Sequence, residues 1–237
     1  MGSEMCIRDR LKAFDHIFVQ DEKSAVLLTN AEINSTVSGD TRYDRVMGNA
    51  AKVQPYQEIE EFIDGEEVLV IGSSWAEDDA VLMDTLNDSK FDWKIIVAPH
   101  EIDEKRVLAL ERKFSKPFVR YSKLKNDSQA AVLIIDNIGM LMNVYQYADV
   151  AYVGGAFGKG LHNILEPACF GVPVIFGNSY EKFQEAYDFI ENKVGFSISN
   201  KEEFQKRFDE LKSADKRNEV LQFMNEGIGA TEKIYAK

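Results

Sequence analysis

The chain predicts an α/β fold, a doubly wound parallel sheet, on three observations. Short apolar runs recur along its 237 residues, helical patterns fill most gaps between them, and several runs, such as Val68-Leu-Val-Ile71 and Ala131-Val-Leu-Ile-Ile135, carry apolar side chains on both faces. A strand sandwiched between helices reads as a continuous apolar run, whereas a strand with one wet face alternates. With 45% hydrophobic and 29% charged residues, the chain holds enough apolar material for one large or two small domains.

Taken in order, strands are expected at 16–19, 36–38, 68–71, 94–98, 118–121, 131–135, 150–153, 174–176 and 196–198. Helical periodicity falls at 21–28, 78–86, 103–114, 140–147, 161–170 and 180–192, and the last forty residues hold two or three charged amphipathic helices with no strand between them. Residues 1–10 join abruptly to what reads as the middle of a fold, so they are expected to be a non-native leader. Residues 11–40 supply too little for a sheet of their own and read as the tail of a truncated domain. A boundary is expected near Gly39-Asp-Thr-Arg-Tyr-Asp-Arg45, leaving 41–237 as one domain with its C-terminal helices.

A net charge of -12 argues against a general affinity for nucleic acid or anionic lipid, so an anionic ligand must be held locally. Cys6 and Cys169 lie in unlike contexts, without CxxC or Cys/His spacing. A reduced, cytoplasmic setting follows, with neither disulfide nor structural zinc expected. No apolar run approaches the ~20 residues of a membrane span, and residues 1–10 lack the apolar centre of a signal peptide. The chain as given is therefore expected to be soluble.

The most informative stretch is 152–177. It reads as a strand ending at Val153, a turn rich in glycine (Gly154, Gly155, Gly158, Gly160), a helix over 161–170 and a second strand. Lys159, His162 and Asn163 would then open the helix, where free N–H groups and the dipole favour an anion, with Glu166 about one turn further in. A phosphate at the helix start and a hydroxyl-bearing ring near Glu166 would fit together, as in a nucleotide-sugar site. Four strand ends carry polar or glycine-rich turns: Gly72-Ser-Ser74, Pro99-His-Glu101, Asp136-Asn-Ile-Gly139 and the turn at 154–163. In open α/β sheets ligands collect there, so all four are expected on one cleft.

Each feature also has a bland reading. The glycines could make only tight turns, His162 could be a satisfied core histidine, and Pro99-His100 could simply end its strand. Asp136-Asn137 could be an N-cap pair, or the N–H groups at 138–140 could read a base or phosphate. Arg42 and Arg45 could pair with Asp40 and Asp44, or a guanidinium near a domain hinge could neutralise a leaving phosphate. Lys159 is followed by Gly160, so no Walker A loop exists, and the G-x-G-x-x-G fingerprint is absent. An aromatic share of 11% suggests no stacking platform for nucleic-acid bases.

The run Gly39-Asp-Thr-Arg-Tyr-Asp-Arg-Val46, the Ala98-Pro-His-Glu101 turn, the Asp136-Asn-Ile-Gly139 turn and the segment Gly154-Gly155 to His162-Asn-Ile-Leu-Glu-Pro167 resemble, in order and spacing, the 3-deoxy-D-manno-octulosonic acid (Kdo) transferases. The resemblance covers residues 11–237 and the C-terminal part of that family. It implies a GT-B glycosyltransferase of two Rossmann-like domains, the second holding CMP-Kdo, which transfers Kdo to lipid A precursor in lipopolysaccharide synthesis. Pro99, His100, Ile138, Gly139, Met140, Asn163, Ile164, Leu165 and Glu166 match the family's CMP-binding segments, with His100 and Met140 standing where arginine and glutamate are usual. Gly155, Lys159 and His162 would lie near the donor phosphate, and Arg42 falls where the family has a basic transition-state stabiliser. The general base, the lipid A acceptor site and the membrane-associating face at the cytoplasmic side of the inner membrane belong to the missing N-terminal domain. This chain alone would bind its donor without transferring it. No metal or other cofactor and no nucleic-acid partner is implied. A UDP-sugar transferase or epimerase and a non-catalytic nucleotide-binding module stand as alternatives.

Overall fold

The computed structural model describes residues 2–124 and 129–237, with side chains from Ile7 onward; the Cys6 side chain lies outside the described residues. The chain forms two compact units, residues 1–49 with 224–237, and residues 50–223. The division falls nine residues beyond the boundary expected at 40/41, and the last fourteen residues group with the first unit.

The smaller unit contains helix α1 (Gly2–Leu11), strand β1 (Ile17–Val19), α2 (Glu22–Asn30), β2 (Ser35–Val37), nearly all of α3 (Thr41–Ala50) and α12 (Ala230–Tyr235). Strands β1 and β2 pair in parallel, Ile17 with Ser35 and Val19 with Val37, and α2 connects them. Asp21 caps α2 by accepting from Ser24 N–H at 2.7 Å. Asp44 accepts from Gly229 N–H at 2.6 Å and Thr231 N–H at 2.8 Å, holding the start of α12. Arg42 pairs with Asp40 at 2.7 Å, as one of its two sequence readings has it.

The larger unit is built on a seven-stranded sheet in the order β5-β6-β4-β3-β7-β8-β9, parallel in every pairing. Its strands are β3 (Val68–Ser74), β4 (Lys94–Pro99), β5 (Phe118–Arg120), β6 (Val132–Ile134), β7 (Val150–Val153), β8 (Val174–Gly177) and β9 (Gly195–Ile198). Every expected strand is present. Helices α5 (Ala76–Leu86), α6 (Glu104–Glu111), α9 (Gln184–Glu191) and α10 (Lys201–Lys212) pack around the sheet, with the short α4 (Gln57–Ile63), α7 (Leu141–Val144) and α8 (Leu165–Ala168), and α11 (Arg217–Glu226) follows α10. β4, β6, β7 and β8 are buried along their whole length, which is why their sequences do not alternate. One core cluster runs from Leu82, Leu86, Val107 and Leu110 through Ile71, Ile95 and Tyr152 to Phe204 and Phe208.

The chain leaves β3 toward β4, β6 and β5, then returns to the other side of β3 with β7 and continues to β8 and β9. The order of strands therefore reverses between β3 and β7, which makes their carboxyl ends the crevice of this sheet.

Candidate functional site at the sheet switch point

β3 does not stop at Ile71. It runs to Ser74 through an irregularity at Ser73, whose φ of +53° is left-handed, and its register to β4 shifts between Gly72 and Ser74. Such a bulge re-aims the side chains that follow it. Trp75 and Asp78 come next. Asp78 is fully buried and accepts from Trp75 N–H (2.8 Å), Gly155 N–H (3.0 Å) and the Tyr152 hydroxyl (2.7 Å). A buried carboxylate is tolerated when its lone pairs are used in this way. Asp79 beside it is also buried and takes a two-pronged bond from Arg106 (2.6 and 3.0 Å) and another from Lys113 (3.0 Å).

Asp78 joins the two turns of the switch point. Gly154 has no room for a side chain, since a Cβ would lie 2.4 Å from Ser73 O and 2.7 Å from the Asp78 carboxylate. Gly155 has φ +96°, and its carbonyl accepts from the N–H groups of Gly158, Lys159 and Gly160. His162 N–H reaches back to Gly154 O at 3.3 Å. These amides close the turn on itself.

The helix expected over 161–170 is a single turn, Leu165–Ala168. Pro167 explains the difference. A proline lacks the N–H that an interior helical position needs, but is tolerated in the first turn, where that N–H would have no partner. Starting the helix at Leu165 puts Pro167 in that turn. Lys159, His162 and Asn163 consequently lie in the loop rather than at a helix tip, and the expected dipole-held phosphate at 161 has no helix behind it. Glu166 sits in the first turn, not one turn inside.

Asn163 carries the local structure instead. Its Oδ1 accepts from Leu165 N–H at 3.2 Å, and its Nδ2 donates to Glu166 Oε1 at 3.0 Å. Glu166 is half-buried. Ile164 and Leu165 are fully buried, so only their main chain can meet a ligand. Cys169 is buried, its Sγ donating to Glu166 O, and burial followed by the Glu166 charge pushes its thiol up to about 12, so it is unreactive.

Three rings meet above the crevice. Trp75 stacks on His100 with centroids 4.5 Å apart, and His100 stacks on His162 at 4.5 Å. The Trp75 indole N–H donates to His162 Nε2 at 3.0 Å. The Lys159 ammonium lies 5.2 Å over the Trp75 ring. The stack is assembled from three separate strand ends. Burial, then the neighbouring His100, holds the His162 pKa below its ordinary value, with Asp78 acting the other way.

The remaining expected residues lie at neighbouring strand ends. Pro99 closes β4 in a buried position, and His100 after it is exposed, its N–H bonded to Ser74 O at 3.0 Å. Ile138 is 86% exposed, Gly139 has φ +90° and Met140 is buried. Asp136 does not cap α7: it accepts from Ser122 N–H at 2.9 Å and from the Ser122 hydroxyl, tying the end of β6 to the turn after β5. Arg42 belongs to the smaller unit and is described there. Sequence reasoning marked Gly72-Ser-Ser74 as a turn but missed Trp75 and Asp78 behind it. An aromatic and two carboxylates immediately after a glycine-bearing strand end were the available signal.

A parallel sheet with this order and turns gathered at its switch point is a Rossmann-like domain of the kind that forms the C-terminal half of GT-B glycosyltransferases. The solved C-terminal CMP-Kdo binding domain of WaaA from Acinetobacter baumannii superposes with a TM-score of 0.60 at 21% identity, over 77% of this chain and 97% of that domain. In sequence the chain is similar to the C-terminal part of Kdo transferases. It is 31% identical over 129 residues to the 3-deoxy-D-manno-octulosonic acid transferase of Aquifex aeolicus, 54% of this chain and 36% of that protein. It is 28% identical over 165 residues to a bifunctional glycosyltransferase/methyltransferase of Fusobacterium nucleatum, 67% of this chain and 26% of that one. The chain thus spans well under half the length of these relatives. No protein-family model matches it.

Proposed function

We propose that this chain is the donor-binding part of a glycosyltransferase that moves Kdo from CMP-Kdo to a lipid A precursor in lipopolysaccharide synthesis, at the cytoplasmic face of the inner membrane. The observation that carries the reading is the loop 154–166, where the sequence likeness to Kdo transferases coincides with a Glu166 carboxylate held by Asn163 at the switch point of the sheet. In this reading Glu166 accepts from ribose hydroxyls, and the main chain of Ile164 and Leu165 supports it. Pro99, His100 and the Ile138-Gly139-Met140 turn flank the cytidine, while Gly155, Lys159 and His162 lie beside the phosphate. The Lys159 ammonium over the indole answers the need for local positive charge in a chain of net charge -12, and the two imidazoles add ring hydrogen-bonding groups beside it.

An acceptor hydroxyl would attack the anomeric carbon of Kdo, a base would remove its proton, and CMP would leave with the bonding electron pair. Arg42 would offset the charge growing on the leaving phosphate. The base, the acceptor site and the membrane-associating face are assigned to a preceding domain, so this chain alone binds its donor and turns over little or nothing. Calorimetry with CMP and UDP tests the reading: CMP binding with UDP weaker by at least about tenfold supports it, a difference of about 1.4 kcal/mol. Equal or preferential UDP binding would point to a UDP-sugar enzyme instead. In the longer protein, Arg42→Ala should lower turnover far more than donor binding, and an equal loss in both would remove Arg42 from the chemistry.

A further inference from the structure

We propose that Trp75 is a positioning residue of the donor site: its indole N–H fixes His162 as the neutral tautomer protonated at Nδ1, so that the ring offers one oriented donor to a phosphate ester. The inference rests on the donor-site reading for its ligand, but its geometry stands alone. An indole nitrogen can only donate, so the 3.0 Å bond to His162 Nε2 requires a lone pair on that atom. A neutral imidazole with a lone pair at Nε2 carries its proton at Nδ1.

The ring has little freedom to turn. His100 covers one face at 4.5 Å. The Cδ2 edge rests on the bare Gly155 backbone, where a Cβ would come within 2.9 Å of Cδ2 and 3.2 Å of Nε2. With the Nε2 and Cδ2 side turned into the indole and the glycine turn, Nδ1 lies on the opposite side of the ring, and no hydrogen bond to it occurs among the described residues. Other titratable groups around His162 are the stacked His100, the buried Asp78 behind Gly155 and the Lys159 ammonium above the indole. The low pKa of His162 agrees with a ring kept neutral. A proton on Nε2 would remove the acceptor, so the lock exists above that pKa and is lost as pH falls through it.

Trp75→Phe keeps an aromatic ring while deleting the donor. At pH 8 the freed imidazole divides between two tautomers and the variant should bind CMP about three- to tenfold more weakly, the worth of one neutral hydrogen bond. Once the pH has fallen below the His162 pKa in both proteins, followed by nitrogen-15 spectra, both ring nitrogens donate and the ratio of the two dissociation constants should approach one. The titration of the CMP phosphate is common to both proteins and cancels in that ratio. A ratio that is the same at both pH values would reduce Trp75 to a packing role and overturn the proposal. Nitrogen-15 spectra of the unaltered chain decide the point without any variant: protonated Nδ1 and bare Nε2 at pH 8 support it, and a proton on Nε2 overturns it. Should CMP fail to bind the unaltered chain at either pH, the donor-site reading falls, while the spectra still decide the tautomer.

Discussion

The two turns that meet at the switch point of the large sheet are built by opposite means. The turn after β3 is organised around charge taken out of water: Asp78 gathers three donors and Asp79 gathers Arg106 and Lys113, both carboxylates buried. The turn after β7 is organised around missing side chains, with Gly154 and Gly155 pressed against neighbouring backbone and Lys159 left exposed. One is a frame and the other is a presenting surface. They are joined by the bond from Gly155 N–H to Asp78, so the surface is only as well placed as the frame behind it.

Removing the frame should have the largest effect. Asp78→Ala strands the Tyr152 hydroxyl and two main-chain N–H groups in the interior, and a loss of about 3–5 kcal/mol in urea unfolding is expected. Asp78→Asn should recover part of it, because the amide oxygen still accepts. A loss below about 1 kcal/mol for Asp78→Ala would break the comparison by showing that the turn does not depend on its buried charge. Next in size, Gly155→Ala forces a left-handed residue to carry a Cβ 2.2 Å from Gly160 O. Overpacking and backbone strain together should cost about 1–3 kcal/mol, and CMP binding should fall with it because His162 rests on that glycine. Retained CMP affinity in Gly155→Ala would separate the glycine turn from the ligand.

The frame was the less legible half. All nine strands can be read from runs such as Lys94-Ile-Ile-Val-Ala98, since burial on both faces leaves a pattern that survives in sequence. Glycines that permit close approach are also visible, as Gly154-Gly155 is. What does not show is the partnership of residues far apart in the chain: Asp78 meets Tyr152 and Gly155 across 74 and 77 positions, and Trp75 meets His162 across 87. Asp78 looks like an ordinary first-turn carboxylate of α5 until the fold buries it. The helix at 161–170 was misjudged for a different reason, because its apolar spacing outweighed Pro167, whose place in a first turn fixes the start at Leu165.

The presenting surface should respond differently from its frame when a side chain is changed without disturbing packing. Glu166→Gln preserves shape and retains an oxygen that can accept from Asn163, so unfolding should move by no more than about 0.5 kcal/mol. Loss of a charged acceptor for hydroxyl groups should nevertheless weaken CMP binding about tenfold or more. Calorimetry and urea unfolding on the same sample sharpen the contrast, and a variant that loses stability but keeps affinity would invert the two roles.

Asp44 offers the smallest and cleanest version of the Asp78 device, in the smaller unit and in a wetter place. It too collects main-chain N–H groups, from Gly229 and Thr231, but it is only half-buried. Burial pushes its pKa up, yet the Gly229 and Thr231 bonds outweigh that push and hold the carboxyl below 3.8. A carboxylate depressed in the folded state stabilises above its unfolded pKa, and the contribution is lost as pH falls through the folded value. Asp44→Ala should therefore cost about 1 kcal/mol near neutrality, the usual worth of a helix cap, and the difference from the unaltered chain should shrink once the pH drops below 3.8. Hydrogen exchange at the Gly229 and Thr231 amides reads this locally. If protection there is as sensitive to Asp44→Ala at low pH as at neutrality, the cap does not act through its charge, and burial is not what separates Asp44 from Asp78.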